Sequence, residues 1–205
     1  MKAHPVEKAI KKEGFFRIAG MDEAGRGPWA GPLVAAAVIL PSGSKIKGIN
    51  DSKKLTSYKR EELFGIILKK GEVGIGIVTN TEIDKKGLGY ANKLAFYRAC
   101  EDLSGKPDYL LIDGIGKYNF DVPYKTIKFG DSLVPVIAAA SIIAKVVRDV
   151  LMDSYDLMYP QYGFRHHKGY GTKLHLTRLS KYGPCLLHRQ SFALIKNLNY
   201  GSRNT

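Results

Sequence analysis

The sequence predicts an α/β domain with a mixed five-stranded sheet flanked by helices and followed by a small helical C-terminal appendage. Three observations predict it. The continuous apolar run Leu33–Leu40 has the pattern of a central strand buried on both faces. Short apolar segments come early in succession and then alternate with helix-period segments, which gives hairpin-like connections first and crossovers later. Of the 205 residues, 44% are hydrophobic, enough for a packed core.

The elements follow in order. Residues 1–14 form a Lys-rich lead-in or short helix. Phe15–Asp22 is the first strand and Leu33–Leu40 the second. The polar loop Asn50–Leu55 precedes a helix that starts at Thr56 or Ser57 and runs to about Lys70, with Gly71 as its stop. Val73–Val78 is a third strand. Glu82–Leu103 is helical, although Gly87 and Gly89 weaken its first turn. Asp108–Asp113 and Tyr124–Phe129 are the fourth and fifth strands. Val136–Tyr155 is the clearest helix, with Val136, Ala140, Ile143, Val147 and Leu151 in one apolar stripe, and Ser141, Lys145 and Arg148 on another face. A helix at about Thr172–Tyr182 and a short final segment complete the chain. No linker is clean enough to mark a second full domain.

Lys and Arg total 32 against 19 Asp and Glu, a formal charge of +13. Such a surplus favours a polyanionic partner, nucleic acid before an acidic membrane surface. No apolar run reaches membrane-spanning length, and the charged N-terminus lacks a signal-peptide core. Cys100 and Cys185 lie far apart in no zinc spacing and read as reduced, buried thiols. A cytoplasmic monomer is expected. His166, His167, His175 and His188 have irregular spacing and no cysteine pair, so they read as structural groups or weak phosphate contacts rather than zinc ligands.

The chemistry concentrates at Asp22-Glu23-Ala24-Gly25-Arg26-Gly27. Adjacent carboxylates at a strand end are costly unless a cation or proton neutralises them. The glycines let backbone N–H groups approach a ligand, and Arg26 offers a planar fork to phosphate. Asp113 and Asp131 also stand at element ends, each beside a glycine. If the first and fourth strands are parallel neighbours, their carboxyl ends meet, where open α/β sheets place their sites. Four carboxylates without a His or Cys set favour a hard, oxygen-seeking ion, Mg²⁺ or Mn²⁺. A basic surface around such a pocket suits phosphodiester hydrolysis, and a pair of ions could both activate water and stabilise the leaving oxygen. A nucleic-acid-binding module without catalysis would explain the charge but not four acids that repel phosphate.

The stretch Gly20–Pro28, with Ala30-Gly31-Pro32 and the apolar run after it, resembles the opening signature of type 2 ribonuclease H, ribonuclease HII. Asp51–Leu55, Asp113-Gly114, Gly130-Asp131, Ile137–Asp149, Tyr162-Gly163-Phe164, His167–Thr172 and His188–Phe192 continue the likeness in order across nearly the whole chain. The resemblance implies an RNase H-like fold, with a catalytic domain over 1–155 and a small helical C-terminal appendage over 156–205 that contacts nucleic acid. It implies cleavage of the RNA strand of RNA–DNA hybrids, and cleavage 5′ of single ribonucleotides embedded in duplex DNA, giving 3′-OH and 5′-phosphate ends. The family carboxylates map onto Asp22, Glu23, Asp113 and Asp131. The element that reads the ribonucleotide 2′-hydroxyl maps onto Gly25, Arg26 and Gly27, and the tyrosine against the following sugar onto Tyr170. Lys53, Lys54, Ser141, Lys145, Arg148, Lys168 and Arg189 are the expected phosphate contacts, the first two and Ser141 foremost. Type 3 enzymes share the core but carry an extra N-terminal domain and a Glu at the fourth acidic position. The short lead-in and Asp131 point to type 2. A DNA-directed nuclease of the same fold is the nearest rival reading.

Overall fold

The computed structural model describes residues 4–44, 46–49 and 52–201. Five strands, β1 (Ile18–Ala24), β2 (Leu33–Ile39), β3 (Glu72–Val78), β4 (Tyr109–Asp113) and β5 (Tyr124–Ile127), form one sheet in the order β3-β2-β1-β4-β5. β1 and β2 pair antiparallel, as do β2 and β3, whereas β4 runs parallel to both β1 and β5. β2 is buried along its whole length, as its unbroken apolar run requires.

Two helix layers cover the sheet. Ala19 and Met21 of β1 face a core shared with α3 (Asn80–Lys86) and α4 (Leu88–Glu101). On the other face, Ala36 and Val38 pack with α2 (Ser57–Lys70) and α6 (Pro135–Met158). Gly20 makes the second packing possible: a Cβ there would lie 2.3 Å from the Val136 carbonyl carbon, so α6 crosses β1 at backbone contact. The lead-in is α1 (Pro5–Lys12), closed by a His4–Glu7 capping box. A short α5 (Gly130–Leu133) joins β5 to α6. Beyond α6 come α7 (Phe164–His167), α8 (Lys173–Tyr182) and α9 (Ala193–Gly201). They build a further core in which Met152, Tyr162, Phe164, Leu179 and Ile195 surround Ala30.

Three elements depart from their expected bounds. β1 begins at Ile18 rather than Phe15 because the N–H groups of Phe16 and Arg17 donate to the Asp108 carboxylate, at 2.7 and 2.9 Å, rather than to a neighbouring strand. It also continues past the acids, with Asp22, Glu23 and Ala24 opposite Ala36, Ala35 and Val34. The single helix expected over 82–103 is two, broken at Gly87, whose φ of +81° closes α3 and opens α4. The fifth strand stops at Ile127, and Phe129 adopts a left-handed conformation with φ +58°.

Candidate active site

β1 and β4 pair up to Met21 and Ile112, one residue before Asp22 and Asp113. The two acids therefore lie side by side where the parallel pairing of β1 and β4 stops, Asp113 at the end of β4 and Asp22 two residues short of the end of β1. Asp131 joins them from α5, which the Gly130 N–H ties to Asp113 Oδ1 at 2.7 Å. Asp131 does not cap α6, whose N-terminus has no side-chain cap. One carboxylate oxygen from each of Asp22, Asp113 and Asp131 lies within 4.8 Å of the other two.

Glu23 is not in that group. It lies within β1, where consecutive side chains alternate between faces. Asp22 lies toward Ser141 on the α6 face. Glu23 lines a cleft of about 320 Å³ on the α4 side with Arg26, Asn92, Lys93, Asp113 and Tyr118. Arg26 Nη1 approaches Glu23 Oε1 at 3.4 Å.

Burial and like neighbours oppose the ionisation of Asp22, Glu23 and Asp113. Burial raises the pKa of Asp22 well above the usual carboxylate range, and the neighbouring Glu23 and Asp113 raise it further. Burial also raises Glu23, against the lowering effect of Arg26. Asp113 is raised by burial and then by Asp131. Asp22 and Asp113, whose ionisation the protein opposes, converge with Asp131 on one point as hard oxygen donors, which fits a divalent cation.

The glycine-arginine-glycine turn follows directly, with Gly25 buried and Arg26 and Gly27 exposed. A Cβ on Gly27 would lie 4.0 Å from the Tyr170 ring, so the two expected sugar readers face one another. Tyr170 is partly exposed, with its ring over the Arg148 guanidinium at 5.4 Å.

The expected phosphate contacts divide. Lys53 is exposed and stands 3.6 Å from Asp131. Ser141 is buried against Ser52, oxygen to oxygen 2.9 Å. Lys145 pairs with Asp149 at 2.6 Å, and Lys168 pairs with Asp153. Asp51 and the Lys54 side chain lie outside the described residues. Arg148 and Arg189 require a correction. Both are fully buried, and their N–H groups donate to backbone carbonyls, so neither can meet a phosphate. A charge count cannot separate a buried arginine from a surface one.

His167, His175 and His188 are buried in a neutral stack, whereas His166 is exposed. The Cys185 N–H donates to His188 Nδ1 at 2.9 Å, which leaves Nε2 of that ring as the donor. His188 Nε2 then donates to His175 Nε2 at 3.0 Å, and His175 Nδ1 donates to the Tyr170 carbonyl at 3.0 Å. Burial holds His175 and His188 down to about 4. Asn92 carried no signal in the sequence, yet it lines the acid cleft with a buried Oδ1 that has no hydrogen-bond partner among the described residues.

A family model described as Ribonuclease HII matches residues 19–195. The chain belongs to the ribonuclease HII family. It is similar to the Geobacter metallireducens ribonuclease HII, 49% identical over 93% of this chain and 90% of that one. Among solved structures it resembles the ribonuclease H2 of Pyrococcus horikoshii, with a TM-score of 0.79 and 25% identity over 92% of this chain and all of that one. The fold also matches Bst-RNase HIII, described in complex with Mn²⁺, with a TM-score of 0.69 and 18% identity over 98% of this chain and 75% of that one. Family and fold make the chain an RNase H-like nuclease of RNA–DNA hybrids, of a class that depends on divalent metal.

Proposed function

We propose that this chain cuts the RNA strand of RNA–DNA hybrids and the 5′ side of a single ribonucleotide embedded in duplex DNA, leaving 3′-OH and 5′-phosphate ends. The observation that carries this reading is the meeting of the Asp22–Asp113–Asp131 group with the facing Gly27 and Tyr170 at one end of the sheet. Those three carboxylates would hold Mg²⁺ or Mn²⁺, with Glu23 reaching the same centre from the α4 side. Bound there, a pair of such ions supplies an activated water and charge stabilisation for a leaving oxygen.

The remaining work belongs to side chains and backbone of this chain. Gly25–Gly27 read the 2′-hydroxyl, the group that distinguishes RNA from DNA. Glycine suits the task because a side chain would hold the strand away. Tyr170 packs against the next sugar and rejects a strand of the wrong shape there. Lys53 and Lys54 bind the backbone around the cut, with Lys53 already beside the acids, whereas Ser141, buried against Ser52, supports Asp22 from beneath. Lys145 and Lys168 reach phosphate only by leaving Asp149 and Asp153. The segment 156–205 acts as the nucleic-acid-contacting appendage because it carries Tyr170, and its Tyr162 and Phe164 share a core with Met152 of α6. The net charge of +13 gathers the duplex by counterion release.

The decisive assay offers the protein an all-DNA duplex and the same duplex with one ribonucleotide, with Mg²⁺ or Mn²⁺ present. Cutting confined to the second, 5′ of the ribonucleotide, is expected. Equal cutting of both would make the chain a DNA-directed nuclease.

A further inference from the structure

Two fully buried guanidinium groups, Arg148 and Arg189, lie beneath the turn that follows β1, and among the described residues neither is ion-paired. Their partners are carbonyls. Arg189 donates from Nη2 to the Gly25 oxygen at 2.6 Å and from Nη1 to the Arg26 oxygen at 2.9 Å. Its Nε and Nη2 also donate to the Gly31 oxygen, at 3.0 and 2.9 Å, and Nη2 reaches that of Pro32 at 3.2 Å. Arg148 donates to the oxygens of Pro32, Lys168 and Ala30, at 3.0, 3.0 and 3.2 Å.

This pattern fixes the direction of the peptide planes. In a trans peptide the carbonyl and the following N–H point opposite ways. Drawing the Gly25 and Arg26 oxygens down onto Arg189 turns the N–H groups of Arg26 and Gly27 outward, toward the exposed face. Among the described residues neither N–H has a protein acceptor. Gly25 permits the close seat. Its φ is +99°, and a Cβ there would lie 2.2 Å from Arg148 Nε. Arg148 meanwhile ties the turn to the Lys168 carbonyl and underlies the Tyr170 ring, so the two walls of the sugar site share one guanidinium.

We infer that Arg189 is a positioning residue for ribonucleotide selection, aiming the Arg26 and Gly27 N–H pair at the 2′-oxygen, and that Arg148 sets the spacing between that pair and Tyr170. The inference rests on the reading of Gly25–Gly27 as the 2′-hydroxyl reader. Its demand is geometric rather than electrostatic. A lysine at 189 keeps the charge, but one flexible ammonium cannot span four carbonyls in the plane that a guanidinium fork holds.

The test places Arg189→Lys in an Asp113→Asn background, which stops turnover, and measures affinity for the ribonucleotide duplex and for its all-DNA counterpart. The preference for the ribonucleotide duplex is expected to fall by about tenfold or more, with all-DNA affinity kept within about twofold. A uniform loss on both duplexes, or a preference unchanged in a folded Arg189→Lys protein, overturns the inference. The proposed function is tested separately by cleavage with the unsubstituted protein: if that shows no ribonucleotide preference, the function itself fails. Should Arg189→Lys not fold, amide resonances of the unsubstituted protein decide. Those of Arg26 and Gly27 should shift with the ribonucleotide duplex and stay unmoved with the all-DNA one, and equal responses to both overturn the inference.

Discussion

On one side of the turn at residues 25–27 lie buried acids, and on the other lie buried bases. Asp22, Asp113 and Asp131 converge without a neutralising set of their own: among the described residues the cation paired with them is Lys53, exposed and 3.6 Å from Asp131. Among the described residues Arg148 and Arg189 likewise pair with no carboxylate, yet every guanidinium nitrogen of each donates to a carbonyl of the same chain. The histidines next to them are satisfied as neutral rings. The difference separates a site from a scaffold. Charge that the fold itself satisfies is structural, and charge left opposed by burial and by like neighbours awaits something from outside.

The largest expected effect strikes the acids. Asp113→Asn should lower cleavage by about a thousandfold, the scale of losing a principal electrostatic stabiliser, while hybrid binding persists. Gel-shift and single-turnover assays read the two quantities, and retained cleavage would erase the distinction drawn above.

The scaffold answers to acid. His175 and His188 have folded pKa values near 4, below the ordinary 6.5, so the unfolded chain binds their protons first. Their stabilisation is therefore complete above about pH 6.5 and lost as pH falls toward 4, by up to about 3 kcal/mol for each ring. Denaturation midpoints across that window should show the fall, and His188→Gln should flatten it.

The acids have the opposite slope. Asp22, Glu23 and Asp113 are raised in the folded protein, so without metal stability should decline as pH rises above the ordinary carboxylate range. Mn²⁺ at a hundred times its dissociation constant should restore about 2.7 kcal/mol. Thermal melts with and without Mn²⁺ check both signs, and a Mn²⁺ effect that survives Asp22→Asn would place the ion elsewhere.

The smallest effect sits where the two regions meet. Tyr170→Ala should cost about tenfold in kcat/KM on a single embedded ribonucleotide, with less lost on continuous hybrid. An equal loss on both substrates would assign the ring to packing.

Much of this protein was legible in residue order. The apolar run at 33–40 is the doubly buried strand, the strand order allows the parallel β1–β4 pairing, and Asp22 and Asp113 stand where that pairing ends, with Asp131 joining them from α5. Helix caps and glycine stops also read locally, as at Thr56 and Gly71. Local sequence determines these because periodicity, capping and turn chemistry act over a few residues.

Other features were settled only by tertiary structure. That Glu23 parts from Asp22 depends on β1 continuing to Ala24, which is decided by pairing with β2. That Arg148 and Arg189 are buried girders rather than phosphate contacts depends on carbonyls more than a hundred residues away. A side chain's charge is written in the sequence. Whether water, a ligand or the chain's own backbone satisfies it is decided by what the fold brings within hydrogen-bonding distance.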